Sequence, residues 1–132
     1  LRRKLRAIER GVCQSCGRDA TRLVQRLRAL RFRGEEGEAA GDCHVARRQL
    51  LCEWDDRFSR RGFSRLADRL AKQPLEGHAW QADHILPVFL GGGCSGLENL
   101  RTLCVCCHKE VTSEQARVRK RLRDRQNGAE GK

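Results

Sequence analysis

The sequence has no run of apolar residues long enough to cross a bilayer, and it has no apolar signal segment. A membrane-spanning helix needs about 20 consecutive apolar residues, so we expect no membrane partner. Hydrophobic residues make up 39% of the chain, which is too many for a fully disordered protein but few for a core that is stable by itself. Something besides apolar burial must therefore help to hold the fold together.

Aromatic residues are also scarce, with two Trp, four Phe and no Tyr. Proteins that hold single-stranded nucleic acid stack successive bases on aromatic side chains within a basic groove. This sequence shows no aromatic residues interleaved with basic ones in that way. A single-strand binding groove is therefore not supported.

Methionine is absent and the chain begins at Leu1, so we expect a piece cut from a longer protein. A length of 132 residues suits one domain. We predict a domain at residues 1–125, made of a helical and zinc-knuckle part at 1–79 and a core at 80–116, followed by a flexible tail at 126–132.

Acidic residues are outnumbered, with 17 Asp and Glu against 28 Lys and Arg, for a formal net charge of +11. Most of the basic residues are Arg, whose planar guanidinium binds phosphate through two parallel hydrogen bonds. Because no amphipathic stretch has a strong apolar face, the charge favours a nucleic acid over a membrane surface. The alternative interpretation is a solubilising surface.

Two of the chain's cysteine pairs have the spacing of zinc knuckles: Cys13 with Cys16, and Cys104 with Cys107. The Cys-x-x-Cys spacing lets both sulfurs face one tetrahedral Zn²⁺. The missing signal segment argues against disulfides, so we predict a structural zinc ion in a reducing, intracellular compartment. Its two pairs are far apart in sequence, so the metal would close a long loop that a weak core could not close alone.

The remaining cysteines do not form a second pair of knuckles. A free Cys is commonly a small buried apolar residue, and this is our interpretation, with a second zinc site as the alternative. Two histidines without a motif, His44 and His78, are interpreted as surface or packing residues. A second site would draw on Cys43, His44, Cys52, Cys94 and Cys106.

Apolar spacing predicts helices in the first part of the chain and the order strand, loop, strand, helix in the last part. Gly11, Gly62 and Pro74 mark helix ends or breaks. The predicted elements are helices at 1–10 (apolar side Leu1, Leu5, Ile8), 20–32 (Leu23, Val24, Leu27, Leu30) and 43–73, a flexible acidic loop at 34–41, strands at 80–88 and 100–103, and a helix from Cys106.

Asp83, His84, Asn99 and His108 supply groups that metal-assisted phosphodiester hydrolysis requires. The reaction needs an activated water and a cation that offsets the charge on the phosphorane and the leaving oxygen. An imidazole can take a proton near neutral pH. A carboxylate suits Mg²⁺, whereas Mn²⁺ also accepts imidazole. The alternative is that both histidines are structural.

The segments "WQADHILPV", "GGGCSGLENLRTLC" and "CHKE" resemble the HNH endonucleases, in their version with a four-cysteine zinc site. The resemblance implies an α+β fold with a ββα-metal core and additional N-terminal helices, a DNA substrate, and Mg²⁺ or Mn²⁺ as catalytic ion. Within the family the chain is similar to C-terminal HNH domains of annealing helicase-endonucleases in the Swi/Snf-type ATPase superfamily. That similarity implies a nuclear protein acting on forked or branched DNA, with a motor domain in its own parent chain as a partner.

The resemblance also implies a role for each matching residue. His84 corresponds to the general base, and Asn99 corresponds to the residue that holds His84 through a hydrogen bond. His108 and Asp83 correspond to ligands of the catalytic metal. Because neighbouring residues on a strand face opposite sides, Asp83 and His84 can share one site only if the strand ends or bends there, as Pro87 permits.

The end of the predicted last helix carries basic residues on nearly every face, so they cannot all be packed inside. We predict that they follow DNA phosphates, which positions DNA without reading its sequence. The alternative function is a catalytically inactive, zinc-stabilised module that binds DNA or docks a protein. The predicted DNA-binding residues are Lys109, Arg117, Arg119, Lys120, Arg121, Arg123 and Arg125, with Arg2, Arg3, Lys4 and Arg6 as a second strip.

Overall fold

The computed structural model describes residues 1–30, 38–92 and 96–130, and these ranges contain six helices and one two-stranded sheet. No helix in them has both the length and the apolar character needed to span a bilayer. The elements are α1 (Arg2–Glu9), α2 (Ala20–Ala29), α3 (Glu38–Trp54), α4 (Ser64–Lys72), α5 (Glu76–Ala79), β1 (Trp80–His84), β2 (Leu100–Cys104) and α6 (Val105–Glu130).

The core lies where the N-terminal helices meet the sheet. Trp80 of β1 and Leu103 of β2 are completely buried, and so are Leu27 of α2, Leu51 of α3 and Leu70 of α4. This one cluster includes residues from all six α-helices and both strands, but none from residues 84–92 or from the end of α6. The helices that precede the sheet therefore form a support on which the sheet rests.

The inner face of α1 differs from its prediction. Leu5 is buried, but the two other apolar residues predicted beside it are exposed. The prediction was wrong because polar side chains fill that face. The Arg2 guanidinium lies 3.7 Å from the ring centroid of Trp80, and Thr102 N donates a hydrogen bond to Glu9 Oε1 at 2.6 Å. The exposed residues are Leu1 (66%) and Ile8 (65%).

The two strands pair antiparallel, with Trp80 opposite Cys104 and His84 opposite Leu100. Helix α6 begins directly after β2 and packs against both strands. The predicted order of strand, loop, strand and helix is confirmed, and with it the ββα core with additional N-terminal helices.

The first strand is shorter than predicted, since it ends at His84 rather than at residue 88. The side chain of Asn99 binds both backbone groups of Leu86, with Leu86 N to Oδ1 at 2.7 Å and Nδ2 to Leu86 O at 3.1 Å. Pro87 follows and has no N–H to donate. Ile85 N still donates to Asn99 O at 2.8 Å, but at Leu86 the backbone bonds to a side chain instead of extending the strand ladder.

Three further boundaries differ from prediction. Helix α3 begins at Glu38, inside the predicted acidic loop at 34–41, whose first part lies outside the described residues. Helix α6 begins at Val105, one residue before its predicted start. It continues to Glu130, so the predicted tail at 126–132 is helical as far as it is described.

Candidate active site and metal centre

Four cysteine sulfurs meet in one cluster, formed by Cys13, Cys16, Cys104 and Cys107, and all of them lie within 4.8 Å of one another. The sulfurs of Cys16 and Cys104 are 3.8 Å apart. Two thiolates bound at about 2.3 Å to a tetrahedral zinc ion are separated by about 3.8 Å. The donor atoms and their spacing therefore fit Zn²⁺.

The first cysteine pair lies in a tight backbone knuckle. Gly17 N donates to Cys13 O at 2.9 Å, and Gly17 has a φ of 78°, a conformation that glycine adopts without strain. Cys16 N donates to Cys13 Sγ at 3.5 Å. The knuckle docks on the sheet through a bond from Gln14 N to Thr102 O at 2.9 Å.

The second pair joins the sheet to the last helix. Cys104 is the final residue of β2, and Cys107 lies in the first turn of α6. Cys107 N donates to Cys104 Sγ at 3.4 Å. His108 is the next residue, so the cysteine cluster fixes where this imidazole enters the site.

The thiols of Cys13, Cys104 and Cys107 do not ionise independently. A hydrogen bond with Cys104 lowers the pKa of Cys13 to about 3, and the same contact, with burial, raises the pKa of Cys104. Burial also raises the pKa of Cys107. Protons therefore remain on part of the cluster until a cation displaces them, as expected of a thiolate metal site.

A side chain that the sequence analysis did not single out, Arg57, braces the cysteine cluster. Its guanidinium lies 3.3 Å from Cys107 Sγ and 3.7 Å from Cys104 Sγ. It is paired at 2.7 Å with Asp55, whose side chain is 3% exposed, and it also binds Glu110 on α6. The hydrogen bonds that Arg57 donates to these partners, Asp55 foremost, raise its pKa. A permanent cation therefore faces two of the sulfurs.

The structure brings Asp83 and His108 together. His108 Nε2 is 3.8 Å from Asp83 Oδ1, and Arg101 Nη2 is 3.9 Å from Asp83 Oδ2. Oδ2 is buried and has no hydrogen-bond partner among the described residues. A carboxylate oxygen without a partner is costly, and it is the ligand that a hard divalent cation prefers. The pair therefore fits a divalent metal ion.

His84 occupies the last position of β1, opposite Leu100, and is half-buried. The strand ends at this residue, which is the condition under which His84 and Asp83 can serve one site. Within the described ranges the His84 ring has no hydrogen-bond partner. Its nitrogens are thus available to a water molecule or a substrate.

Asn99 does not form the hydrogen bond to His84 that the family resemblance implied. It accepts from Leu86 N and donates to Leu86 O, and its Nδ2 also donates to Gly92 O at 3.2 Å. Its own backbone oxygen accepts from Ile85 N at 2.8 Å. Asn99 therefore fixes the backbone that follows His84. Through this backbone it restrains the position of His84 without contacting its ring.

Lys109 is half-buried beside His108, with its Nζ 5.6 Å from the ring centroid of Phe63. On its other side, His108 borders an open groove of about 360 Å³. Polar side chains from α4, α6 and β1 line this groove, including Arg69, Gln81 and Thr112. Leu66 and Val105 also line it, so the candidate metal ligand opens onto a mixed, solvent-open groove rather than a closed pocket.

The predicted basic residues at the end of α6 are all exposed. Glu114 pairs with two of them, Arg117 at 3.4 Å and Arg121 at 3.3 Å. Arg119 lies over the ring of Phe89, 4.6 Å from its centroid. The other predicted residues on this helix are Lys120, Arg123 and Arg125.

The residues of the predicted second basic strip, on α1, differ in whether they contact the rest of the fold. Arg2 donates to Trp80 O at 3.1 Å in addition to stacking on its ring. Arg6 makes two hydrogen bonds to Glu76, at 2.7 and 2.8 Å. These two arginines hold α1 to the fold, whereas Arg3 and Lys4 are exposed.

In the described part of the chain, the four-cysteine cluster is the one group of three or more closely spaced metal-ligating side chains. Cys43 instead donates to Leu30 O, and Cys106 is completely buried. His44 lies 3.6 Å from Asp68, and His78 Nδ1 lies 2.9 Å from Gln73 O. Cys94 lies outside the described residues.

Comparison with known proteins identifies the same segment. An HNH endonuclease family model matches residues 71–114. The DNA annealing helicase and endonuclease ZRANB3 of Mus musculus is 40% identical over 125 residues, which cover 93% of this chain and 10% of that protein. The ZRANB3 protein of Homo sapiens is 38% identical over 125 residues, which again cover 93% of this chain and 10% of that protein. The chain thus spans about a tenth of the length of the curated relatives it matches.

A solved structure matches nearly the whole fold. The human ZRANB3 HNH domain, known from a crystal structure, is 36% identical and superposes with a TM-score of 0.66. The match covers 93% of this chain and 92% of that one. The similarity therefore includes the N-terminal helices as well as the ββα core.

Proposed function

The chain belongs to the HNH endonuclease family, and we propose that it hydrolyses phosphodiester bonds in DNA with the help of a divalent metal ion. One observation carries the proposal. Asp83 and His108 lie side by side at the end of the strand that carries His84, and one Asp83 oxygen is buried without a hydrogen-bond partner among the described residues.

We assign the metal ligands to Asp83 and His108. A bound Mg²⁺ or Mn²⁺ would stabilise the negative charge that builds on the phosphate and the leaving oxygen. The two side chains approach to 3.8 Å, which is too long for a hydrogen bond but close enough for both to reach one cation. Mn²⁺ suits this mixed set because it prefers carboxylate oxygen and also tolerates an imidazole.

His84 is the general base in this proposal. Its imidazole takes a proton from the attacking water, a transfer suited to a group that titrates near neutral pH. Asn99 holds the backbone after His84 with four hydrogen bonds, counting its side chain and its own carbonyl oxygen. It is therefore a positioning residue that fixes where the base stands.

The four cysteines bind a structural zinc ion in this proposal and keep the site assembled. They join the N-terminal knuckle to the junction of β2 and α6. Because His108 follows Cys107 directly, this metal positions the catalytic ligand without contacting the substrate. Arg57 offsets part of the thiolate charge.

The DNA backbone runs along the exposed basic residues of α6 and past Lys109. Such contacts neutralise phosphates and carry little sequence information, so structure rather than sequence would direct the cut, at forked or branched DNA. Within a parent chain such as an annealing helicase, a motor domain would deliver that DNA in the nucleus. The basis for this part is the similarity to proteins named as DNA annealing helicase and endonuclease.

The deciding experiment measures nicking of forked, flap and plain duplex DNA with Mg²⁺ or Mn²⁺. Loss of a general base lowers the rate by about 10²–10⁴-fold, so we expect that loss from His84→Ala with DNA affinity retained. His44→Ala, on the distant α3, serves as the matched control. Undiminished cutting by His84→Ala would exclude its role as the base. Tight DNA binding without any product from the unaltered chain would support the inactive binding module instead.

A further inference from the structure

The loop after His84, residues 85–90, exposes an unusual amount of apolar surface. Of the nine large hydrophobic residues that are exposed in the described ranges, four lie in these six positions. The rest of the surface is dominated by charge, since 34% of all residues are charged. The four residues and their exposed fractions are Ile85 (54%), Leu86 (46%), Val88 (56%) and Leu90 (51%).

The loop is held in place on its inner side. Asn99 binds Leu86 and Gly92, which closes the two ends of the loop on one side chain. Pro87 O accepts from both Leu90 N and Gly92 N at 3.0 Å. A Cβ on Gly92 would lie 1.9 Å from Leu86 O, so the closure depends on glycine at this position. The apolar side chains are thus presented outward by a fixed backbone.

The position of the loop decides what can cover it. It starts at the residue next to His84, so a molecule that brings a phosphate to this imidazole must also come against the loop. A protein that covered the loop permanently would block the same approach. The occupant is therefore the substrate itself.

Charge around the loop agrees with a nucleic acid. The guanidinium of Arg119 lies over Phe89, so the basic part of α6 and the loop form one surface. A surface with exposed apolar side chains next to an arginine-rich helix matches DNA, whose stacked bases lie between two rows of phosphates. Proteins that bend DNA insert Leu, Ile, Phe or Pro between base steps from such a surface.

We infer that residues 85–90 form an apolar wedge that enters between bases next to the scissile phosphate, an inference that rests on the proposed nuclease function. Separating a base step costs a few kcal/mol in an intact duplex and least where a base is already unpaired or single-stranded. The wedge would therefore favour forks and flaps over plain duplex. In this way the loop, rather than any base-specific contact, would select the substrate.

The test uses Val88→Ser combined with Leu90→Ser, which removes exposed apolar surface without touching the core. Val45→Ser on α3 is the matched control, since Val45 is 64% exposed and far along the chain from the site. Forked DNA carries 2-aminopurine at the junction, and binding is followed without added Mg²⁺ or Mn²⁺. Unstacking of the probe raises its fluorescence, so this readout does not depend on cleavage.

We expect the unaltered chain and Val45→Ser to raise the fluorescence at the junction, and the double variant to lose most of that rise. Its preference for fork over duplex should fall about tenfold or more, because the cost of unstacking a duplex step, about a few kcal/mol, would no longer separate the two substrates. No rise with the unaltered chain, no binding to the fork, or an equal rise with the double variant would each overturn the wedge. An apolar loop that serves protein docking would give the first of these results.

The outcomes also separate the wedge from the nuclease proposal. If the probe unstacks but Mg²⁺ and Mn²⁺ yield no product, the wedge stands and the nuclease function fails. If DNA is cut with an equal ratio of fork to duplex by the unaltered chain and the double variant, the nuclease function stands and the wedge fails.

Discussion

His108 Nε2 lies 3.8 Å from Asp83 Oδ1, so an imidazole from the last helix and a carboxylate from the first strand face one point in space. The zinc-type cysteine cluster ends one residue before His108, and strand pairing fixes Asp83 opposite Arg101. Two independent constraints therefore converge on this contact, and its predicted use as a metal site can be tested directly.

Asp83→Asn keeps the size of the side chain and removes its charge. We expect the concentration of Mn²⁺ needed for half-maximal nicking to rise at least about tenfold, because an amide oxygen is a weaker ligand than a carboxylate. The measurement is a metal titration of nicking rate. Asp56→Asn, a change at an exposed carboxylate, is the control, and equal midpoints for both variants would exclude Asp83 as a ligand.

Cys104→Ser should abolish the structural zinc site. We expect about one zinc ion per unaltered chain and much less in the variant, with loss of helical signal in circular dichroism, since a structural zinc contributes about 10–16 kcal/mol to small zinc-dependent folds. Cys52→Ser, outside the cluster, should retain both metal and helix. A zinc-free chain that is fully folded would contradict this assignment.

Arg57→Met should leave the buried Asp55 without its close cation, with only Arg18 remaining at 4.0 Å. Breaking one partner of a buried pair costs about 3–5 kcal/mol, which is measured as a lower free energy of unfolding in urea. The exposed Arg60, 3.9 Å from Asp56, gives the control Arg60→Met, for which we expect a loss of less than about 0.5 kcal/mol. A similar loss in both variants would show that the Arg57 contacts do not stabilise the fold.

The same variant should change how stability depends on pH. Burial alone would raise the pKa of Asp55, but hydrogen bonds from Arg57 lower it below its ordinary value of 3.8. The stability from this ionised carboxylate is thus present above pH 3.8 and lost as pH falls through the lower folded pKa. Without Arg57 the pKa of Asp55 in the folded protein should be raised. The difference in free energy of unfolding between the unaltered chain and Arg57→Met should therefore become smaller toward acid pH. A constant difference would refute the pairing.

Arg123→Ala with Arg125→Ala should weaken binding to duplex DNA regardless of sequence. Each lost phosphate contact reduces the slope of log affinity against log salt by about 0.9, so two contacts predict a change of about 1.8. Fluorescence anisotropy over a range of salt concentrations measures this slope. Arg65→Ala, an exposed position on α4, is the control, and an unchanged slope in the double variant would remove these arginines from the DNA surface.

The zinc-type cluster and the ββα core could be predicted from the sequence because both are encoded by spacing. The Cys-x-x-Cys pairs require a short turn in any fold, and Asp83 and His108 belong to a motif of fixed order. The grouping of Cys13 with Cys104 was predicted across most of the chain, and the sulfurs do meet. Spacing predicted the cysteine grouping and the order of strands and helix, and the family resemblance implied the metal core and the roles of Asp83 and His108.

Other features depend on tertiary contacts that leave no local pattern. Arg57 follows Asp55 by two positions in a segment without clear periodicity, and nothing in the sequence shows that it reaches Cys107. The end of β1 at His84 depends on the Asn99 side chain from the far side of a glycine-rich loop. Arg2 takes a core-facing position on α1 because Trp80 offers it a ring. In each case a polar side chain binds one of several possible tertiary partners, and apolar periodicity does not show which one.

The order of the metal ligands along the chain also has a consequence for protein synthesis. The first knuckle emerges from the ribosome early, but its partners Cys104 and Cys107 follow only when nearly all of the helical support has been made. A nascent or prematurely terminated chain therefore carries thiols without a complete binding site. A translation product that ends before Cys107 therefore lacks both a complete cysteine cluster and His108, the proposed ligand of the catalytic metal.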